Sequence, residues 1–209
     1  RESARRTACL NNLSQIGKGI MSYDSSQNHL PGWRMSLPGF TDAAGGTTIS
    51  WTVAILPFLG EGEVFSWYES YATGVAGVDD VRTKRLPRYV CPTILSRATT
   101  SAVLTYLGNG GTAAETLNGR QQWRGDGVFF DLLAFGTVGA GTYDPLKTSI
   151  ARIADRDGVG STMLLTERGG LHAPLQTSWS HAPVPAVANA NAVVTTHVVL
   201  HPPSAALVS

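Results

Sequence analysis

Between Glu2 and Ser25, Cys9, Leu13, Ile16, Ile20 and Tyr23 recur at gaps of four, three, four and three. That spacing places them in one stripe along a single face of an α-helix. Leu10 and Met21 read as widening the stripe, and Asn28-His29-Leu30 leads to the helix-ending Pro31-Gly32. A helix that is apolar on one face only must lie on something. The rest of the chain therefore has to supply a surface for it, and a sheet is the expected partner.

Beyond this helix the chain changes texture. Trp33 to Gly46 is loop-like, punctuated by Pro38-Gly39 and Gly45-Gly46. Ile49 to Leu59 is strongly apolar and ambiguous between strand and short helix, with Pro57 interrupting it and Gly60-Glu61-Gly62 ending it. Glu63 to Tyr71 predicts a short helix with Phe65, Trp67, Tyr68 and Tyr71 as its aromatic side, and Asp79 to Arg85 suggests another turn. The second half reads as β, with strand candidates at Ala102–Leu107, Gly127–Phe130, Ser161–Glu167 and the β-branched Ala192–Leu200. Ser149 to Asp155 reads as a short strand or turn, and the Ala/Pro/Val tract from Ala182 to Ala192 as a loop. One N-terminal helix followed by short strands is an α+β pattern.

Composition narrows the class of function. Of 209 residues only 15% are charged, while Gly (23) and Pro (11) are plentiful, which favours short strands and long ordered loops on an exported surface. Sixteen basic and fifteen acidic side chains leave a formal net charge of +1, without the field of a nucleic-acid binder. A run of about eighteen apolar residues is absent, so these residues contain no membrane-spanning helix. A single domain over 1–209 is expected: the end of a helix at 1–25, a loop-rich insertion at 33–100 and a mainly β region at 101–209.

Several segments carry a resemblance. RESARRTACLNNLSQIGKGIMSYDSSQNHLPGW is similar to the stretch just after the hydrophobic helix in a planctomycete-type pilin-like family bearing a prepilin-type cleavage and methylation signal. SWTVAILPFLGEGEVFSWY resembles that family's Ser-Trp, Leu-Pro-(Tyr/Phe) and Glu segment, and LPRYVCP its Tyr-x-Cys-Pro element. TYLGNGG matches a Tyr-x-Gly-Asn-x-Gly turn and GDGVFF a Gly-Val-Phe strand. SIARIADRDGVGSTMLLTER looks like a version of the family's Ile-x-x-Ile-x-Asp-Gly-x-Ser-x-Thr-x-x-x-x-Glu block. These pieces run in family order from Arg1 to Arg168.

The resemblance implies a pilin-like fold, with the N-terminal helix packed on an antiparallel sheet, as in type IV pilins and type II secretion pseudopilins. It further implies an apolar helical segment ahead of Arg1, seated in the inner membrane before assembly and in a filament core afterwards. Arg1, Glu2, Arg5 and Arg6 suit the juxtamembrane end of such a span. At the other end, His201 to Ser209 fits the start of the family's closing His-x9-Asp-Gly element, so the chain is expected to be a fragment at both termini.

Cys9 and Cys91 are open to two readings, a disulfide tying the N-terminal helix to the β region or two buried free thiols. An exported protein favours the bridge. Asp155-x-Asp157-x-x-Gly160 has the opening of a calcium loop but lacks the later ligands, with Val159 and Thr166 where an oxygen donor and Glu belong, so an Asp-Gly turn is the expected reading. His197 and His201 on a strand would stand about 13 Å apart, too far for one zinc. Ser178, Ser180 and His181 lack the Gly-x-Ser-x-Gly frame of a nucleophile elbow. No catalytic, metal or cofactor site is expected.

The expected function is structural: a subunit of an extracellular pilus, pseudopilus or other surface filament, associating with itself and with related pilin-like subunits. Leu13, Ile16 and Ile20 are expected to dock the helix, with Cys9 and Cys91 as its staple. The competing expectation is a membrane-anchored surface module that binds carbohydrate or another ligand through Trp123 and Trp179.

Overall fold

A computed structural model describes residues 2–33, 35–36, 48–72, 84–92, 104–109, 116–117, 120–121, 127–129, 132, 147–167 and 199–200. Helix α1 runs over Glu2–Gln27. It stops where Asn28 turns to the left-handed conformation (φ 58°), with the Asn28 amide bonded back to the Asp24 carbonyl at 2.8 Å. Asparagine tolerates this geometry better than most residues, so Asn28 fills a position usually taken by glycine.

The ambiguous apolar run divides into three. Strand β2 (Thr48–Ile49) pairs antiparallel with β1 (Met35–Ser36), α2 (Trp51–Ala54) comes next, and Leu56–Leu59 form a 3-10 turn with Pro57 inside its first turn. Proline lacks an amide proton and so is tolerated there. Helix α3 (Gly62–Ala72) matches the expected helix, and Pro87–Tyr89 form a second 3-10 turn.

Three strands make the main sheet, in the order β6 (Leu165–Glu167), β3 (Tyr106–Asn109), β7 (Val199–Leu200). Central β3 pairs antiparallel with β6, with Tyr106 opposite Glu167 and Gly108 opposite Leu165. β7 joins the other edge of β3 in parallel, so the sheet is mixed. A separate hairpin joins β4 (Thr116–Leu117) to β5 (Arg120–Gln121). The protein is α+β, with its long helix at the N-terminus.

Two expectations change. Residues 127–129 are not a strand: the amides of Val128 and Phe129 both donate to the Asn109 carbonyl, at 2.9 and 3.0 Å, so this segment folds across the end of β3. Ser149 to Asp155 is neither strand nor turn but the start of α4 (Ile150–Arg156). The Ser149 hydroxyl caps it by accepting from the Arg152 amide, and Asp24 Oδ2 accepts from the Ile150 amide at 3.3 Å. The helix ends at the expected Asp157-Gly158 turn, where Gly158 takes a φ of +77°.

The bed of α1 is also more specific than a sheet. Its main neighbours are the two 3-10 turns, and it reaches β3 where the Tyr106 hydroxyl donates to the Cys9 carbonyl at 3.3 Å. Ile16 and Ile20 are fully buried, and a Cβ placed on Gly19 would stand 2.8 Å from Leu59 Cδ2. The helix thus approaches the first turn closely. Burial of each isoleucine contributes about 1.5–3 kcal/mol relative to exposure.

Candidate functional site

Two features of α1 define the candidate site: the junction it makes with the core and the face it turns outward. At the junction, Cys9 and Cys91 form a disulfide, with Cα atoms 4.9 Å apart and a sequence separation of 82. Both cysteines are buried. A loop of that length predicts a loss of unfolded-state entropy of about 4.5 kcal/mol. Asn12 Nδ2, one turn along the helix from Cys9, donates to the Val90 carbonyl at 3.2 Å and the Pro87 carbonyl at 3.5 Å. Thr105 locks the far side: its hydroxyl accepts from the Cys91 amide at 2.8 Å and donates to the Tyr89 carbonyl at 3.1 Å.

Behind the bridge, residues from several of the segments that carry the resemblance meet in one aromatic core. Trp51 lies 5.5 Å from Phe129 and 6.4 Å from Tyr89, ring centroid to centroid, the latter pair edge-to-face. The Tyr89 hydroxyl donates to the Thr52 carbonyl at 2.6 Å, and burial pushes its ionisation well above the ordinary tyrosine value. Arg88 clasps the first 3-10 turn, donating to the Leu59 carbonyl and, at 3.4 Å, to Glu61 Oε1. A Cβ on Gly108 would fall 2.8 Å from Phe129 Cδ2 and 2.9 Å from its Cε2, so glycine at this point of β3 admits the ring. Asn109 then fixes the end of the strand, donating from Nδ2 to the Met163 carbonyl at 2.9 Å.

Those interlocking pieces are sequence-wide features, and the comparison with known families agrees. A family model described as "Protein of unknown function (DUF1559)" matches residues 1–200. The chain belongs to the DUF1559 family. This accords with the resemblance to planctomycete-type pilin-like proteins carried by the same motifs. No curated protein and no solved structure matches the chain.

In this DUF1559 chain the expected residues fall into three groups. Ile16 and Ile20 are spent on the intramolecular core, with Leu13 partly buried against it, and Cys9 and Cys91 are bridged. Asp155 is solvent-exposed and lies within α4, and Asp157 is exposed just beyond it at the expected Asp-Gly turn. Trp123 and Trp179 lie outside the described residues, as do Ser178, Ser180, His181, His197 and His201. Of the other tryptophans, Trp33 and Trp51 are core residues, while Trp67 is exposed with the Lys84 ammonium 4.3 Å from its ring centroid.

The outward face differs from the expectation. Leu10 and Met21, expected to widen the buried stripe, are 59% and 52% exposed. Each comes directly after a buried residue, and one step along a helix is a rotation of about 100°. They stand eleven positions apart, close to three whole turns, and therefore share a face with Ser14 and Gly17 along about 16 Å of helix. The sequence contains that second alignment too. Among residues 7–23 the one charged side chain is Lys18, which lies to the side of this face.

Proposed function

We propose that this protein is a structural, non-enzymatic subunit of an extracellular filament or related surface assembly, built by contact with further copies and with related pilin-like subunits. The observation that carries the reading is the strip along α1 on which Leu10 and Met21 stand exposed with Ser14 and Gly17 between them. Charged side chains normally cover the solvent face of a surface helix. Here two large apolar side chains stand in a row of small neutral ones, and covering each would contribute up to about 1.5–3 kcal/mol. Contacts that repeat head-to-tail without closing a ring produce filaments.

The buried disulfide supports a location outside the reducing cytosol. Residues 2–7 are exposed around the whole helix, which suits a continuation of α1 toward the apolar segment that the resemblance implies. In this reading membrane contact would come through that segment alone, with assembly starting at the inner membrane and ending at the cell surface. No nucleic acid and no cofactor takes part.

Leu10→Glu and Met21→Glu, introduced together in the native protein, test this. Both positions are exposed, so the folded domain should keep its stability to within about 0.5 kcal/mol each. Assembly at the cell surface should be lost. Wild-type assembly by the double variant would rule the face out.

A surface module that binds carbohydrate or another extracellular ligand is the competing reading. Trp67 is the exposed tryptophan among the described residues, but the chain's own Lys84 lies over its ring. A sugar would have to displace that cation or use the opposite face. Trp67 therefore lends that reading no support.

A further inference from the structure

Glu167, the last residue of β6, sits at the disulfide. It lies directly across from Tyr106 in the β3–β6 register, and Tyr106 in turn bonds to the Cys9 carbonyl. The Sγ atoms of Cys9 and Cys91 and a carboxylate oxygen of Glu167 all lie within 4.8 Å of one another. Three separate pieces of chain thus converge: α1, the segment after the second 3-10 turn, and an edge of the sheet. The two cysteines are 3% and 0% exposed and Glu167 is half-buried.

Reduction changes what this cluster can do. A dithiol or phosphine reductant delivers two electrons to the S–S bond; the bond breaks, each sulfur takes up one proton, and the reductant is oxidised. The result is two thiols facing a carboxylate in a poorly hydrated pocket. Ionising both thiols there would bring three negative charges together, at a high cost unless a cation neutralises them. Two thiolates and one carboxylate form a donor set that suits zinc, with Zn–S near 2.3 Å and Zn–O near 2.0–2.2 Å. Tetrahedral binding would set the sulfurs about 3.8 Å apart, within reach of side-chain rotation when the Cα atoms are 4.9 Å apart.

We propose that the reduced chain holds one thiophilic divalent cation of the zinc class on Cys9, Cys91 and Glu167, and that disulfide formation expels it. Binding releases the two thiol protons to solvent. In oxidation a small-molecule disulfide takes two electrons from the paired thiolates and two protons from solvent and leaves as two thiols; the Cys9–Cys91 S–S bond closes and the cation is left with a single carboxylate. The bridge and the metal are therefore alternative occupants of one site, and either one ties α1 to the segment that carries Cys91.

Cobalt(II) provides the test, because thiolate coordination gives it a sulfur-to-metal charge-transfer absorption. The full chain, reduced anaerobically with a phosphine, is titrated with Co²⁺ and then with competing Zn²⁺, while circular dichroism monitors the fold. Expected are one cation per chain, a charge-transfer band that Zn²⁺ abolishes, and no such band in oxidised protein. Glu167→Gln should weaken binding at least about tenfold, the loss that even outer partners of metal ligands produce. If reduction alone unfolds the domain, Zn²⁺ should restore the helical signal in the wild type and not in Glu167→Gln. Absence of the band from folded reduced protein, equal binding by Glu167→Gln, or failure of Zn²⁺ to refold an unfolded reduced chain would each overturn the proposal.

Discussion

Thr105 has its hydroxyl in two hydrogen bonds at once, to the Cys91 amide and the Tyr89 carbonyl, in a position only 3% exposed. Valine has nearly the same shape and neither bond. Thr105→Val should therefore cost about 1–3 kcal/mol in denaturant unfolding, because it strands a buried amide without its acceptor. Tyr23 makes a prediction about pH. Burial raises its ionisation from 10.0 to about 12, and Tyr89 is raised as well. A folded state that holds these protons more tightly than the unfolded chain is fully stabilised below pH 10 and loses that contribution as pH climbs from about 10 toward 12. Melting temperature should fall across that window, and Tyr23→Phe should flatten the fall. Equal alkaline sensitivity in the variant would show that Tyr23 does not contribute. At this scale the sequence is informative where geometry is local: Ile16, Ile20 and Cys9 lie on the buried stripe because their spacing puts them there. Leu10 and Met21 escape such a reading because apolarity is not burial, and their rotation from the stripe carries them to the outer face.

Among the elements, β3 and the segment that crosses its end are the clearest coupled pair. Gly108 leaves the space that the Phe129 ring occupies, and the Asn109 carbonyl receives both amides that turn residues 127–129 over the strand. The nearest ring atoms belong to a residue 1% exposed that packs on Trp51, so the ring has little freedom to retreat. Gly108→Ala should cost about 1–3 kcal/mol, read as a lowered urea midpoint, and Phe129→Leu in the same chain should recover part of that loss. An unchanged midpoint for Gly108→Ala would mean that the ring can give way after all. Gly127–Phe130 reads as a strand by composition, yet the Val128 and Phe129 amides serve a carbonyl rather than a ladder, a choice made by tertiary contact. Helix α4 is hidden from the sequence for a related reason. Its seven residues are too short for periodicity to declare, and its start depends on Ser149 and on Asp24, 126 positions away from Ile150. By contrast α1 and α3 are legible, since each repeats its apolar pattern over several turns.

At the scale of the whole molecule, α1 does two jobs with two faces. One face is fixed on the core by Ile16, Ile20 and the bridge from Cys9 to Cys91; the other presents Leu10 and Met21 to solvent. Fixing the helix rigidly is what gives the second face a constant relation to the rest of the domain, and a repeating assembly needs that constancy. The α+β class, the long N-terminal helix and the family resemblance can all be read from the chain. The position of Glu167 beside the bridge cannot, because it depends on β6 pairing with β3 across nearly sixty residues of sequence. Electron microscopy of the native protein, at the cell surface and in shed material, tests the structural role most directly. The expected result is an ordered filament whose repeat accommodates a domain of 22.1 kDa, with α1 turned toward the filament axis through its Leu10–Met21 face. Intact native protein found only as isolated, membrane-anchored domains would contradict it.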